Sequence, residues 1–465
     1  MKRSKGSIIT PLGATTKVTS IPAGFLILIL IGAGLLMLPG STAPGEHTTF
    51  LTALFTSTTS VCVTGSIVVD TCVHWSLFGK IVILGLIQLG GLGVITAVVF
   101  LMYFTRRTFS LGDMLVLKEL FTLDSTLEIL QFFRKVFLGT LIVEIAGAIL
   151  YMPAFCPQYG LVRGVWYSFF TAVSAFCNAG ISIIRPDSLE GYSDNYLVMV
   201  VTMMLIVIGG VGYMVWLDIL SIRGKVRNGS SRFRLRYSLR LMGVHARLVL
   251  LLTAGLILGG AAVIFALEYS NPGTLGNMPL GQKIFNSFFQ SVTARTAGFS
   301  TFAQQELTET TSLFTDVLMF IGGSPLGTAG GVKTVTILIV LMNVYAFIRN
   351  QEEVVILKRR IPAALIRKAT AIVTVQLLVV LVIGGLLMLV SGASMSDAMF
   401  ETMSAVSTVG LSRDLTPLLN EAGQVLIIIG MFLGRIGPIT MLLFFQNKAD
   451  KKDGIHYADG NYIVG

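Results

Sequence analysis

Four glycines, Gly65, Gly180, Gly298 and Gly410, stand 115, 118 and 112 residues apart, each inside a short polar stretch of an otherwise apolar chain. The stretches read "TSVCVTGSIV" (59–68), "SAFCNAGISI" (174–183), "VTARTAGFST" (292–301) and "SAVSTVGLSR" (404–413). None pairs a nucleophile with a base, so the chemistry they offer is that of the backbone. A glycine lets the chain turn a carbonyl into a cavity with no Cβ in the way, and rings of carbonyls replace the hydration shell of a cation. The carbonyl-bearing residues are Val61, Cys62, Val63, Thr64 and Gly65, then Phe176, Cys177, Asn178, Ala179 and Gly180. The third and fourth sets are Ala294, Arg295, Thr296, Ala297 and Gly298, and Val406, Ser407, Thr408, Val409 and Gly410.

Two further landmarks keep step with the glycines. A phenylalanine precedes each by ten residues (Phe55, Phe170, Phe288, Phe400), and a second glycine follows at Gly90, Gly209, Gly322 and Gly434. Recurrence at one period marks a repeat architecture. Each unit reads as a helix, a segment too short to span a bilayer, a glycine-bearing turn and a returning helix. Non-helical backbone is tolerated at membrane depth only where protein buries it or it lines a watery cavity, so the short segments read as re-entrant half-helices. Strings such as "LGGLG" (89–93) and "IGGVG" (208–212) read as close helix packing. They follow no strand, which excludes a dinucleotide fingerprint.

Composition sets these units in a membrane. Hydrophobic residues make up 54% of the 465 and charged residues 12%, with a net charge of +10. Eight windows are long and apolar enough to span, at 21–38, 77–104, 136–152, 196–217, 247–267, 312–347, 371–391 and 424–446. The first run lacks a small-residue cleavage site and is expected to be a retained helix. Lys and Arg gather in the N-terminal arm and at 105–110, 222–240, 348–368 and 447–453, which places both termini and these loops in the cytoplasm. The opposite loops carry Glu46, Asp70, Asp187, Glu190, Asp194, Glu268, Glu306, Glu309, Asp397, Asp414 and Glu421, an acidic face that concentrates cations. This distribution excludes a nucleic-acid partner. The four cysteines and four histidines show neither a disulfide framework nor a metal-ligand spacing.

The expected fold is therefore an all-α membrane protein of four tandem helix, pore loop, helix repeats. Eight transmembrane helices and four re-entrant pore helices surround a pseudo-fourfold pore. The expected boundaries are an arm at 1–20, repeats at 21–107, 108–230, 231–350 and 351–446, and a cytoplasmic tail at 447–465. As one helix the window 312–347 would be about 54 Å long, so it must be broken, strongly tilted or extended into the cytosol. Its middle, "GGSPLGTAGGVKT" (322–334), is rich in residues poor in a helix interior and reads as an intramembrane loop.

At this point the chain resembles a known family. The strings "TSTTSVCVTG", "QLGGLG", "SAFCNAG", "LEYSNPGTLG", "TARTAGF", "GGSPLGTAGGVKT", "GRIGPIT" and the closing "IHYADGNYIVG" resemble the membrane subunit of bacterial Ktr potassium uptake systems. That subunit belongs to the superfamily of Trk and plant HKT transporters. The start at the first helix, without an extra hairpin, favours the Ktr branch. The resemblance implies a homodimer in the bacterial plasma membrane that translocates potassium, bound at the filter carbonyls. It also implies control by a cytoplasmic ring of nucleotide-binding subunits, no nucleotide on this chain itself, and possible sodium dependence. In plant relatives a serine at the first filter position goes with sodium preference, and here all four positions are glycine.

The family's gate lies at the broken third span, which carries that role to Gly322, Gly323, Ser324, Pro325, Gly327, Thr328, Ala329, Gly330, Gly331 and Lys333. Lys333 reads equally as gate control or as an interfacial anchor. Arg435, aligned with Gly91, Gly210 and Gly323, is an intramembrane cation and hence a functional residue by default. It is expected to oppose cation passage and to pair with gate-loop carbonyls. Arg295 is expected to point behind the filter and brace it against the short pore helix, Asn178 to brace the second turn similarly, and Glu144 to have a hydrogen-bonded partner. The basic loops at 222–240 and 348–368 suit anionic lipid headgroups or, for the mixed charges of 348–362, the regulatory ring. The competing class is an ion-coupled secondary transporter. That class usually shows inverted repeats and a buried acid relay, for which the spans offer little beyond Glu144. A hydrolase is set aside, since no paired nucleophile and base stands out.

Overall fold

A computed structural model describes residues 20–93, 126–227 and 242–437. The N-terminal arm, the basic segments 105–110 and 447–453, most of 222–240 and the closing "IHYADGNYIVG" lie outside the described residues. Helices α1 (Ser20–Leu36), α2 (Phe50–Cys62) and α3 (Leu77–Leu92) come first, followed by α4 (Thr126–Tyr159), α5 (Leu161–Cys177), α6 (Tyr196–Gly210) and α7 (Tyr213–Arg227). Then come α8 (Val244–Glu268), α9 (Leu280–Thr293), α10 (Glu309–Phe320) and α11 (Thr334–Ile348), and finally α12 (Ala363–Ser391), α13 (Met395–Val406) and α14 (Glu421–Ile436).

Helices α2, α5, α9 and α13 have 13, 17, 14 and 12 residues, or roughly 18 to 26 Å, short of the ~30 Å hydrocarbon core. They are the segments that lead into the four glycines. Their inner ends are buried on all sides, so their hydroxyls must find partners internally. Thr58 donates to the Leu54 carbonyl (2.7 Å) and Ser60 to that of Thr56 (2.6 Å). Ser57 donates to Ile29 O of α1 (2.6 Å), and Ser291 likewise to Ile257 O of α8 (2.9 Å). Phe55, Phe170 and Phe400 of the repeated phenylalanine position are fully buried, while Phe288 is half-buried.

Side-chain caps fix where helices begin. Thr49, Ser76, Asn195, Thr308, Ser394 and Asn420 accept the first free amides of α2, α3, α6, α10, α13 and α14. Among the described residues, Gln131–Tyr159, Val244–Glu268 and Ala363–Ser391 are each long and apolar enough to cross a membrane. The remaining expected spans meet a break or reach the edge of the described chain.

Two returning spans are not straight. The window 312–347 is interrupted between α10 and α11, and Ile321 bridges Val332 across the interruption. The window 196–217, read from sequence as one span, is bent by 92° between α6 and α7. Gly212 supplies the turn with φ 94°, and the carbonyls freed at Gly209 and Gly210 accept amides of Thr328 (3.2 Å) and Ser324 (3.0 Å). The glycines read as packing residues thus also release backbone acceptors. The mixed-charge segment 348–362 contains an antiparallel hairpin of β1 (Val355–Ile356) and β2 (Arg359–Arg360), pairing Val355 with Arg360 and Ile356 with Arg359. Leu357 and Lys358 turn it with φ 45° and 64°, the hand of a two-residue hairpin loop.

Candidate functional site

The four glycine turns share one backbone pattern. The residue two before each glycine is left-handed, with φ 55° at Val63, 59° at Asn178, 71° at Thr296 and 52° at Thr408. Each glycine itself has positive φ: 97° at Gly65, 66° at Gly180, 79° at Gly298 and 93° at Gly410. Each turn is tied to the end of its short helix. Thr59 Oγ1 and Ser404 Oγ accept the amides of Gly65 and Gly410 (both 2.9 Å), while Ser174 and Thr293 donate to the carbonyls of Ile181 (2.8 Å) and Phe299 (2.7 Å).

The turns meet in a closed cycle. A methyl group on Gly65 would stand 2.5 Å from the Ala179 carbonyl oxygen, and one on Gly180 2.6 Å from that of Ala297. One on Gly298 would strike the Val409 oxygen, and one on Gly410 the Thr64 oxygen. Each glycine therefore abuts the carbonyl preceding the next glycine, and the fourth returns to the first. Four carbonyls and four Cβ-free positions surround one centre, with the C-terminal ends of four helices leading into it. Such ends carry about half a negative charge each.

Above the ring opens a cavity of about 170 Å³ whose walls include all four glycines and the acids Asp70, Asp187, Glu190 and Asp414. Arg185 grips Asp187 through two 2.8 Å hydrogen bonds, and these hold the Asp187 carboxyl below its usual range. Burial, with repulsion from Asp187 and Asp414, pushes Glu190 up to about 7. The other outer acids act elsewhere. Glu268 accepts from Asn271, Thr274 and Thr308, Glu46 pairs with His74 at 3.2 Å, and Glu309 and Asp397 face Arg413.

Below the ring runs the segment 322–333. Thr328 donates its hydroxyl to Phe176 O (3.1 Å), and the Gly330 amide donates to Thr296 Oγ1 (3.2 Å). Tyr213 N donates to Leu326 O (2.9 Å). Arg435 donates to Thr328 O (2.9 Å) and to Gly90 O, and Lys333 to Ala329 O (2.7 Å). The segment is thus tied directly to elements of the second, third and fourth sequence repeats, and through Arg435 to Gly90 of the first. Gly90, Gly209 and Gly434 each press on a carbonyl four residues before a ring glycine, those of Val61, Phe176 and Val406. Gly322 departs from this pattern, because it packs on Gly330 O of its own loop.

Arg295 donates to Gly322 O (3.2 Å), so it braces the start of the loop rather than the short helix. Asn178 was expected to brace its turn, yet neither atom of its side-chain amide is hydrogen-bonded among the described residues. It serves the turn through its backbone, since asparagine adopts the left-handed conformation more readily than most residues. Glu144 finds Gln88 Nε2 (3.2 Å) and Cys177 Sγ (3.8 Å), directly behind the second turn.

The sequence reading missed a clasp on the fourth turn. Glu401, 1% exposed in α13, accepts from Arg413 N (2.9 Å), Thr416 Oγ1 (2.6 Å) and Ser412 Oγ. Arg413 in turn donates to Ser312 (3.1 Å) and Ser396 (2.8 Å). A carboxylate in a short buried helix was the available signal. Glu401→Ala leaves three donors without their acceptor and is expected to cost about 3 kcal/mol of stability. Thermal unfolding in detergent measures it, and a loss below ~1 kcal/mol would contradict the clasp.

Comparison with known proteins adds independent findings. The family model described as "Cation transport protein", TrkH, matches residues 2–454. "Ktr system potassium uptake protein B" of Bacillus subtilis is 37% identical over 444 residues, covering 95% of each chain. "Potassium/sodium uptake protein NtpJ" of Enterococcus hirae is 34% identical over 450 residues, covering 96% of each. The crystal structure of the potassium transporter TrkH from Vibrio parahaemolyticus superposes with a TM-score of 0.71 at 18% identity. That match covers 95% of this chain and 86% of the other, a likeness of fold alone.

Proposed function

The chain belongs to the TrkH family of cation transport proteins, and on that premise we propose that it is a pore-forming potassium uptake subunit of the bacterial plasma membrane. The observation that carries this reading is the closed cycle in which each ring glycine abuts the carbonyl before the next. In this reading the ring is the selectivity filter, and the carbonyls of 61–65, 176–180, 294–298 and 406–410 replace the water around K⁺. The acidic cavity above it gathers cations. Potassium then moves down its electrochemical gradient. Both termini face the cytoplasm, the four repeats keep the boundaries 21–107, 108–230, 231–350 and 351–446, and eight helices span the bilayer.

The segment 322–333 is the gate in this account, with Lys333 and Arg435 holding it by its carbonyls beneath the filter. The assembly is a homodimer opened by a cytoplasmic nucleotide-binding ring, with the hairpin at Val355–Arg360 as a docking point and anionic lipid at the basic loops. Sodium dependence fits the same site. The names of the B. subtilis and E. hirae relatives support potassium as the ion.

Flux into liposomes holding this chain, with K⁺, Na⁺ or choline outside and no proton gradient, tests the proposal. Potassium flux that follows the electrochemical gradient is expected. Uptake that requires a second ion gradient would instead establish the coupled transporter.

The cavity acids make a separate expectation. Glu190, with its pKa raised to about 7, is neutral below that pH and charged above it, so cation attraction strengthens as pH rises. At low ionic strength and subsaturating K⁺, flux at pH 8 is expected to exceed that at pH 6 by roughly twofold, and Glu190→Gln to flatten the profile. An unchanged profile in the variant would remove Glu190 from the entry path.

A further inference from the structure

Residues 208–216 join α6 to α7, and their backbone bonds are those of an interrupted helix. In a continuous helix the carbonyls of Ile208, Gly209 and Gly210 would accept the amides four residues on, those of Gly212, Tyr213 and Met214. Here another group takes each of them. Trp216 Nε1 donates to Ile208 O at 2.9 Å, Thr328 N to Gly209 O at 3.2 Å and Ser324 N to Gly210 O at 3.0 Å. The Tyr213 amide, which would close the turn on Gly209 O, donates instead to Leu326 O at 2.9 Å. The loop therefore engages both the donor and the acceptor of the bond that would run between Tyr213 and Gly209.

The backbones also approach closely. A Cβ on Gly212 would stand 2.6 Å from Pro325 O, and one on Gly327 3.0 Å from Gly209 O. On the far side of the joint, Val211 and Val215 belong to one apolar cluster with Met242, Ala246 and Val249, and with Val335 in the first turn of α11, just past the loop. Withdrawal of the loop would strand Gly209 O, Gly210 O and Tyr213 N inside the protein, where unpaired backbone groups are costly. Rebuilding the missing turn pairs Gly209 O with Tyr213 N and Gly210 O with Met214 N. Gly209, Gly210 and Gly212 are poor helix formers, so the straight form does not prevail while the loop is in place.

We infer that residues 208–216 are a two-state joint, bent while the loop occupies it and a continuous turn of helix once the loop withdraws, so that α7 swings with the gate. The inference rests on the gate reading and deepens it. The coupling is reciprocal: a seated loop favours the bend, and whatever straightens the joint unseats the loop. Helix α7 runs to Arg227, inside the basic segment 222–240. Its far end is thus a handle by which a cytoplasmic contact biases the gate.

A spin-label distance across the joint tests this. Ketone-bearing residues placed at Leu197 and Leu220, 41% and 59% exposed, carry the labels without involving the native cysteines. At about 1.5 Å per residue the two positions are roughly 25 Å apart across the 92° bend and roughly 35 Å apart along a straight helix. The full-length chain is expected to show the shorter distance, and the chain with residues 324–331 deleted the longer one. Trp216→Phe keeps an aromatic ring and removes the N–H that holds Ile208 O. In the full-length chain it is expected to populate the longer distance and to raise K⁺ flux by about fivefold. The shorter distance in both the deleted chain and Trp216→Phe overturns the joint. The longer distance with no rise in flux supports the joint and overturns the gate reading beneath it.

Discussion

Gly410→Ser is expected to lower the preference for K⁺ over Na⁺ by about tenfold while the protein still folds and conducts. A side chain there meets two obstacles. Its φ is 93°, where an L-residue pays roughly 1 to 3 kcal/mol, and its Cβ would collide with the Thr64 carbonyl oxygen. On the proposed filter reading, the ring relieves both by displacing that carbonyl from the ion site. Losing about 1.4 kcal/mol of discrimination is a factor of ten. Gly298→Ser, which would strike the Val409 oxygen, should act in the same direction. Competing ⁸⁶Rb⁺ and ²²Na⁺ uptake measures the ratio, and an unaltered ratio in both variants would count against the filter assignment.

Deleting residues 324–331 is expected to raise K⁺ flux through the chain alone by roughly 10- to 100-fold. The loop is held by the amides of Ser324, Thr328 and Gly330, the Leu326 carbonyl, and the cations Arg435 and Lys333. At about 0.5 to 1.5 kcal/mol net per hydrogen bond, moving it aside costs several kcal/mol. The ends of the excised stretch already lie together, because Gly322 N donates to Val332 O at 3.0 Å. Removal therefore leaves α10 and α11 in register. Flux that falls or stays level in a folded variant would show that the loop is no barrier.

Much of this site was legible because repetition separates signal from packing. One glycine in a small-residue string says little, but four in step with four phenylalanines located every turn of the ring. The break in 312–347 was legible from length taken with the glycine- and proline-rich middle at 322–334, and a partner for Arg435 on the loop carbonyls from the cost of a buried charge. What stayed hidden was set by contacts distant in sequence. The bend at Gly210–Gly212 exists because Gly209 and Gly210 present carbonyls to Thr328 and Ser324, residues more than a hundred positions away. Asn178 looked like a brace by its chemistry, whereas its role in the turn comes from its backbone conformation. The direction of Arg295 towards Gly322 likewise depends on a loop that no local pattern around Arg295 reveals.

The central claim is that the four carbonyls and glycines surround an ion. Anomalous diffraction from crystals of the protein grown in Rb⁺ addresses it most directly. The account predicts Rb⁺ peaks at the centre of the ring, bounded by the carbonyls of Thr64, Ala179, Ala297 and Val409. Rb⁺ bound elsewhere, with the ring centre empty of it at saturating concentration, would contradict the account.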